Sequence, residues 1–491
     1  MVLESGQNRR STDGLVLFAF DDVGLPFQNG VRLHLVPYKS RRDRSRIVVE
    51  PGPPGAPDAE GIYQAGTVCR VGDELWMWYQ GHSDPDEWRP RLCLAISRDG
   101  YRWEKPSLGL VEINGSTDNN AVVVPGTEDE TTHLGVAFHD PDDPDPERRF
   151  KAVFAISKRL AAAVSADGLR WRELDSRPEL PLCEVSGGTM FDGAFYVSGH
   201  GGGHYGAPRQ LVVFSTYDFE HWSEATCLGF RRESIPPRPV VSGFNEGEQV
   251  HGGAALWNRG NVVVGFYGQW HGPANNDRRH IDMDLGLVVS NDALHYREPI
   301  PDFRLVDAAE DGFAPLPSLM RFKHSGLVQG QGFENVGEET LFWYAPWPEH
   351  FGDGVRVASW ERDRLGYLRA NPEAYQLRSP QASHILSAPI DLEGQRAHVS
   401  LNVDGVSEHA QVSVEVIDAR TFLPLPGFSR AECEPIAAGL RQQVAWRDGK
   451  AAVAGARGPV RVRVNYSGTR PEDPRLYAIY VDRHPPSPTS P

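Results

Sequence analysis

Glu60, Glu184 and Glu248 stand at the starts of three runs that read as β-strands; His133 stands at the start of a fourth, and His251 lies beside Glu248 in its run. Carboxylates gathered around one axis repel one another, so one holds a proton while another stays ionised, the division of labour that acid–base and nucleophilic chemistry needs. On that basis Glu248 is expected to be a general acid and Glu60 a base or nucleophile. Glu184 or Asp282 would then stabilise an oxocarbenium-like transition state. Loops expected to return to the same mouth carry a complementary set: Trp88 and Arg89; His200, His204 and Tyr205; Trp270, His271, Asn276 and Arg279; and Trp347 in PWPEHFGD. Aromatic rings stack on a sugar's C–H face while His, Asn and Arg hydrogen-bond its hydroxyls, so these residues are expected to bind a carbohydrate.

What must position these groups is a repeat. SRDGYRW ends at Trp103, SADGLRW at Trp171, STYDFEHW at Trp222 and SNDALHY at Tyr296, and each follows an apolar strand-like run (RLCLAI, RLAAAV, QLVVF, DLGLVV). Self-similarity at this spacing in an all-β pattern predicts a β-propeller, because a four-stranded blade buries its faces only against neighbours around an axis. Five blades are expected within residues 1–375, with LVLFAFDD and VRLHLVPYK near the N-terminus helping to close the ring. From 376 to 486 the pattern changes to strictly alternating strands such as QVSVEVIDA, which predict a small antiparallel β-sandwich. Residues 487–491 are Pro- and Ser-rich and read as a disordered tail.

The composition narrows the partners. Fifty Lys plus Arg against 66 Asp plus Glu give a net charge of −16, which disfavours nucleic acid and anionic membranes. The five cysteines have neither metal-ligand spacing nor an even count, so no disulfide framework or metal centre is expected; a cation in the channel would be structural. No apolar leader or membrane-length run is present, and the expected location is the cytoplasm. Some motifs read more simply as structure: Trp103 and Trp171 as packing between blades, the acidic HDPDDPDPERR as a solvated turn, and the glycines of HGGGH as room for a close backbone approach.

The S-x-D-G-x-x-W corners, ELWMWYQG, EKPSLGLVEINGSTDNN, the DPDDPDPERRFKAVF hairpin and the C-terminal SAPIDLEG, LNVDG and LPGFS segments together resemble proteins of glycoside hydrolase family 32 or 43 type. The resemblance covers nearly the whole chain. It implies a five-bladed propeller with a C-terminal sandwich, and a glycosidase using three axial acidic residues with no cofactor. The Asn-Asp-Pro-Asn and Arg-Asp-Pro signatures of family 32 are absent, so no catalytic role is carried over by motif. A sialidase is the alternative enzyme, with Arg91, Arg209 and Arg279 on a carboxylate; a non-catalytic sugar-binding propeller is the alternative outside enzymes.

Overall fold

The computed structural model describes residues 14–38, 47–83, 90–126, 131–157, 159–179, 183–201, 209–232, 247–272, 280–309, 326–347, 354–371 and 383–485. Regular structure among them is β throughout, apart from 3-10 turns such as that at Pro146–Arg148. No helix among them is long and apolar enough to cross a membrane, and the five cysteines are free thiols.

Three antiparallel four-stranded sheets follow one another along the chain, opening with Thr132–His139, Glu184–Phe191 and Glu248–Asn258. A further sheet of seven strands joins the hairpin of Gly61–Val71 and Glu74–His82 to the pair Gly326–Val336 and Glu339–Trp347. The join is a single parallel bridge, Gln331 to Thr67. The opening strands touch in cyclic order, from Gly61–Val71 through Thr132–His139, Glu184–Phe191 and Glu248–Asn258 to Gly326–Val336, which returns to the first.

Every one of these opening strands breaks register part-way along, at Gln64/Thr67, Leu134/Val136, Val185/Gly187, His251/Ala254 and Gln329/Phe333. A bulge frees backbone groups and bends the strand, and at Gly66 and Gly187 the breaks carry glycine because a neighbouring backbone comes too close for a side chain. A Cβ on Gly187 would sit 1.9 Å from the Ala254 carbonyl oxygen. Two glutamines of the last opening strand reach across to backbone groups at and beyond these breaks. Gln331 accepts from Gly188 N (3.1 Å) and Leu256 N (2.9 Å) and donates to Leu256 O (2.8 Å), while Gln329 donates to His251 O (2.8 Å) and Gly253 O (3.1 Å).

The repeated corners form one turn four times over. Gly100 N donates to Ser97 Oγ at 2.9 Å, and Tyr101 N and Arg102 N donate to Asp99 Oδ1 at 2.8 Å each. Ser165/Asp167, Thr216/Asp218 and Ser290/Asp292 repeat the pattern. The residue after each Asp has positive φ, even where it is Phe219 (61°) or Ala293 (60°) instead of glycine. Neighbouring sheets latch onto these turns through tryptophan: Trp78 Nε1 donates to Gly168 O (2.8 Å) and Trp343 Nε1 to Gly100 O (2.9 Å). Trp171 is buried and Trp103 half-buried, each in edge contact with one of those rings, so both corner tryptophans pack between sheets.

Past residue 365 two more sheets pack over a single core that includes Leu368, Leu401 and Ile479 from one and Ile385, Val414 and Val464 from the other. Three N-terminal strands belong here: Gly14–Phe18 pairs with Arg475–Asp482, Phe27–Asn29 with His384–Leu386, and Val31–Leu35 with Gly366–Ala370. The N-terminal segment was expected to help close the ring. Residues 14–35 instead pair with the C-terminal sheets, whose open edges their alternation matches, while Tyr38 bridges Val306 and the later strand Ile47–Val49 pairs with Val355–Glu361. A continuous boundary at 375 therefore does not separate the sheets. The two parts share an apolar seam in which Phe18, Leu35 and Tyr480 meet Phe266, Phe333 and Trp360. Within it Arg259 grips Asp363, which also accepts from Tyr480 Oη (2.7 Å) and Asn335 Nδ2 (3.1 Å).

Gly187→Ala should cost about 3 kcal/mol or more, since the clash is with backbone that cannot rotate away. Gly458→Ala, where a Cβ meets nothing within 4 Å, serves as the neutral control. Urea unfolding of the two variants checks this; equal midpoints would mean the opening strands are less closely packed than described.

Candidate functional site

The second strand of three sheets carries a histidine at or next to its end, facing the opening residue of the first: His82 opposite Gly61, His200 opposite Glu184, and His271 opposite Glu248. This places imidazoles and carboxylates together at one end of the opening strands. Their surroundings then give equivalent histidines different charges.

His271 lies between two acids, with Nδ1 2.8 Å from Glu248 Oε2 and Nε2 3.3 Å from Asp284 Oδ2. Burial alone would discharge the ring, but hydrogen bonds to Asp284 and Glu248 outweigh it and raise its pKa to about 9, so it is an imidazolium at neutral pH. Arg232 comes against the same acid, Nη2 standing 2.9 Å from Glu248 Oε2 and 2.5 Å from Asp302 Oδ1. Its other nitrogen donates to Gln249 O (3.1 Å) and Trp270 O (2.6 Å), which fixes the guanidinium. Glu248, expected as the general acid, is thus paired with two cationic side chains. Donor atoms of Glu248, His271 and Asp302 lie within 4.8 Å of one another, the spread of a cation site. Arg232 and His271 already supply the positive charge there.

His82 and His133 are the opposite case. Burial, reinforced by the neighbouring His133, lowers His82 to about 4; burial also lowers His133 to about 4 against the opposing pull of Glu184. Both are neutral near pH 7. Gln80 Nε2 donates to Leu134 O (3.2 Å), which turns its Oε1 toward His133 Nδ1 at 2.8 Å. Nδ1 therefore carries the proton, and Nε2 is left as the basic nitrogen. In His200 the assignment reverses, since Gly252 N donates to Nδ1 at 2.7 Å. The proton sits on Nε2, 3.6 Å from Glu184 Oε2. The Glu184 side chain is 71% exposed.

The other expected residues fall as follows. Glu60 is exposed in the turn before Gly61–Val71, and its N–H donates to His82 O at 2.9 Å. Asp282 opens Asp282–Ser290 opposite His271. Trp270 is fully buried among Ile281, Met283 and Val328, so it is no open platform for a sugar. It is covered by His251 stacked at 5.6 Å and by Arg209 at 4.6 Å. Trp88, Arg89, His204, Tyr205, Asn276, Arg279 and the Trp347 side chain lie outside the described residues. The acidic hairpin is structural: Asp140 and Asp143 hold the buried Lys151 at 2.9 and 2.6 Å.

Sequence reasoning missed Gln80, His82 and Arg232. The endings QGH at His82, SGH at His200 and QWH at His271 were a readable signal for the histidine position. Arg232 had none, because only the fold brings it to Glu248.

No protein-family model matches the chain, and no curated protein does. Among solved structures it is similar to a glycosyl hydrolase from Bacteroides ovatus, at 12% identity over 68% of this chain and 95% of that one, TM-score 0.43. It is also similar to a fructofuranosidase from Schwanniomyces occidentalis, at 10% identity over 91% and 99%, TM-score 0.40. A third is a protein described within the GH130 family of mannoside phosphorylases and glycoside hydrolases, at 12% identity over 67% and 95%, TM-score 0.42.

The charged state of His271 has a signature in stability. A histidine whose pKa rises from 6.5 to about 9 on folding stabilises fully below pH 6.5 and loses that contribution as pH climbs through 9. Urea unfolding should show wild-type stability declining from pH 7 to 9.5, and His271→Gln should flatten the decline. A wild-type curve no steeper than the variant's would refute the imidazolium.

Proposed function

We propose that the chain is a glycoside hydrolase built on a five-bladed β-propeller, with a sandwich of residues 376–486 completed by N-terminal strands, and that its substrate binds at the mouth where the opening strands begin. The observation that carries this is Glu184, an exposed carboxylate among imidazoles of fixed tautomer. His200 presents an N–H toward it, and His133 presents an unprotonated nitrogen on the adjoining sheet. Glu184 is the reacting carboxylate, and Glu60, an exposed acid in the turn just before a first strand, is its partner in acid–base work. Glu248, held between Arg232 and His271, forms with them a wall that holds the mouth in shape.

One feature favours a second reading, a propeller that binds carbohydrate without cleaving it. Glu248 is committed to ion pairs and Trp270 is buried, leaving fewer free groups than three-acid catalysis uses.

Hydrolysis of a panel of nitrophenyl glycosides separates the two. Glu184→Gln should lower the rate on the best substrate by about a thousandfold, with the fold intact by circular dichroism. Undiminished turnover by the variant sinks the assignment of Glu184. Saturable sugar binding without turnover in wild type establishes the binding reading.

A further inference from the structure

The C-terminal unit carries a row of arginines on one sheet face. Val31–Leu35 pairs with Gly366–Ala370 so that Arg32 stands opposite Arg369 and His34 opposite Tyr367. Directly opposed residues share a face, and these four share the one turned away from Leu33 and Leu368, which pack into or against the core. The next strand, Arg475–Asp482, meets Leu368 with Leu476, which sets Arg475 beside Arg369 on that same face. Three arginines thus lie side by side on strands about 4.8 Å apart, in a chain whose net charge is −16.

Like charges directly opposed across two strands weaken a sheet unless something lies between them. Among the described residues, neither Arg32 nor Arg369 has a carboxylate within ion-pair distance. Arg32 is exposed and Arg369 half-buried, so both are open to solvent. The acids at this end of the sheet are placed elsewhere. Asp404 pairs with Arg475 at the far end of the row from Arg32 and lies 4.0 Å from Arg364, while Asp473 is held by Arg470 at 2.9 Å. That leaves Glu472, in the wall of a cavity of about 470 Å³ that Arg369 and Arg475 also line. Three arginines therefore meet Asp404 and Glu472, and the surplus positive charge falls at the Arg32–Arg369 end.

The field of the row registers on its neighbour. His34 stacks on Tyr367 with ring centroids 5.1 Å apart, and the Arg475 guanidinium lies 5.5 Å from the same ring. Burial, and after it the charges of Arg369, Arg32 and Arg475, hold the His34 pKa below the ordinary histidine value, with no carboxylate of the described residues acting in the opposite sense. All three arginines therefore bear on one part of the face. The aromatic rings there are engaged with one another and with arginine, Tyr477 meeting Tyr367 at 5.5 Å and Arg364 at 4.7 Å. What remains for a ligand is the N–H donors of two neighbouring guanidinium forks. A planar carboxylate is saturated by one fork, whereas a tetrahedral oxyanion has oxygens for both.

We infer that the Arg32–Arg369 end of this row binds a phosphate group, either free inorganic phosphate or the phosphate ester of a small molecule, with Arg475 adding to the attraction. The site belongs to the C-terminal unit and uses no residue assigned to catalysis, so it stands whether or not the proposed activity does.

Calorimetric titration of the full chain with inorganic phosphate and with glucose 6-phosphate, in chloride buffer of constant ionic strength, tests it. At least one should bind wild type, and Arg32→Gln and Arg369→Gln should each weaken that binding about tenfold or more, the effect of losing a hydrogen bond between charged partners. Arg32 is exposed on the sheet's edge strand, so its variant covers the case in which Arg369→Gln fails to fold. Arg102→Gln, which removes an exposed arginine of the first corner, should bind as wild type does. Tighter binding of the ester than of the free ion assigns the site to phosphorylated small molecules, and the reverse order assigns it to inorganic phosphate. The inference is overturned if neither ligand binds wild type, or if Arg32→Gln binds both as wild type does.

Discussion

The architecture turns on two carboxamides. Strands converging on an axis crowd their backbones, and the register breaks that relieve the crowding leave N–H and C=O groups without ladder partners in a place too narrow for much water. Gln329 and Gln331 answer this from a single strand. Between them they reach carbonyls or amides of Gly188, His251, Gly253 and Leu256 on the two preceding opening strands. An amide side chain suits the task because it donates and accepts at one end of a flexible stem, whereas a carboxylate would only accept and an ammonium only donate. Glycine at the breaks and glutamine across them are two halves of one solution.

The same economy governs the mouth. Histidine stands at or next to the end of the second strand in three sheets, yet His82 is neutral and His271 charged. The ring is identical, and what differs is whether acids or another imidazole lie beside it. Position comes from the repeat, while charge comes from neighbours contributed by other sheets and loops. A repeat protein can thus place a uniform set of groups and still differentiate them, since each environment draws on residues outside the repeating phrase.

This division explains what the sequence disclosed. The corner phrases were legible because a Ser–Asp turn is local chemistry within four or five residues, and it survives even where Phe219 or Ala293 replaces glycine. The alternation of 410–418 and 460–468 was legible for the same reason. Two matters depended on distant partners. The affiliation of strands 14–35 was set by which sheet edges stood open hundreds of residues further along the chain. The role of Glu248 was set by Arg232, which nothing in its own segment, LGFRRES, singles out. Trp270 was misjudged because an aromatic in a rim loop and one at the end of a buried strand look alike in a sequence.

The pairing of Gly14–Phe18 with Arg475–Asp482 bears on how the molecule assembles. During synthesis, the first strand emerges long before its partner, and the ring's closing strand, Ile47–Val49, must likewise await Val355–Glu361. Contacts of such sequence separation cost loop-closure entropy before they return any energy, so the ends join late and slowly. Until then the Phe18 side of the first strand and the apolar groups around Phe266 and Phe333, on two neighbouring sheets, stay uncovered. Nascent chains are therefore most exposed to misassociation in the interval between the making of the ring and the making of its cover.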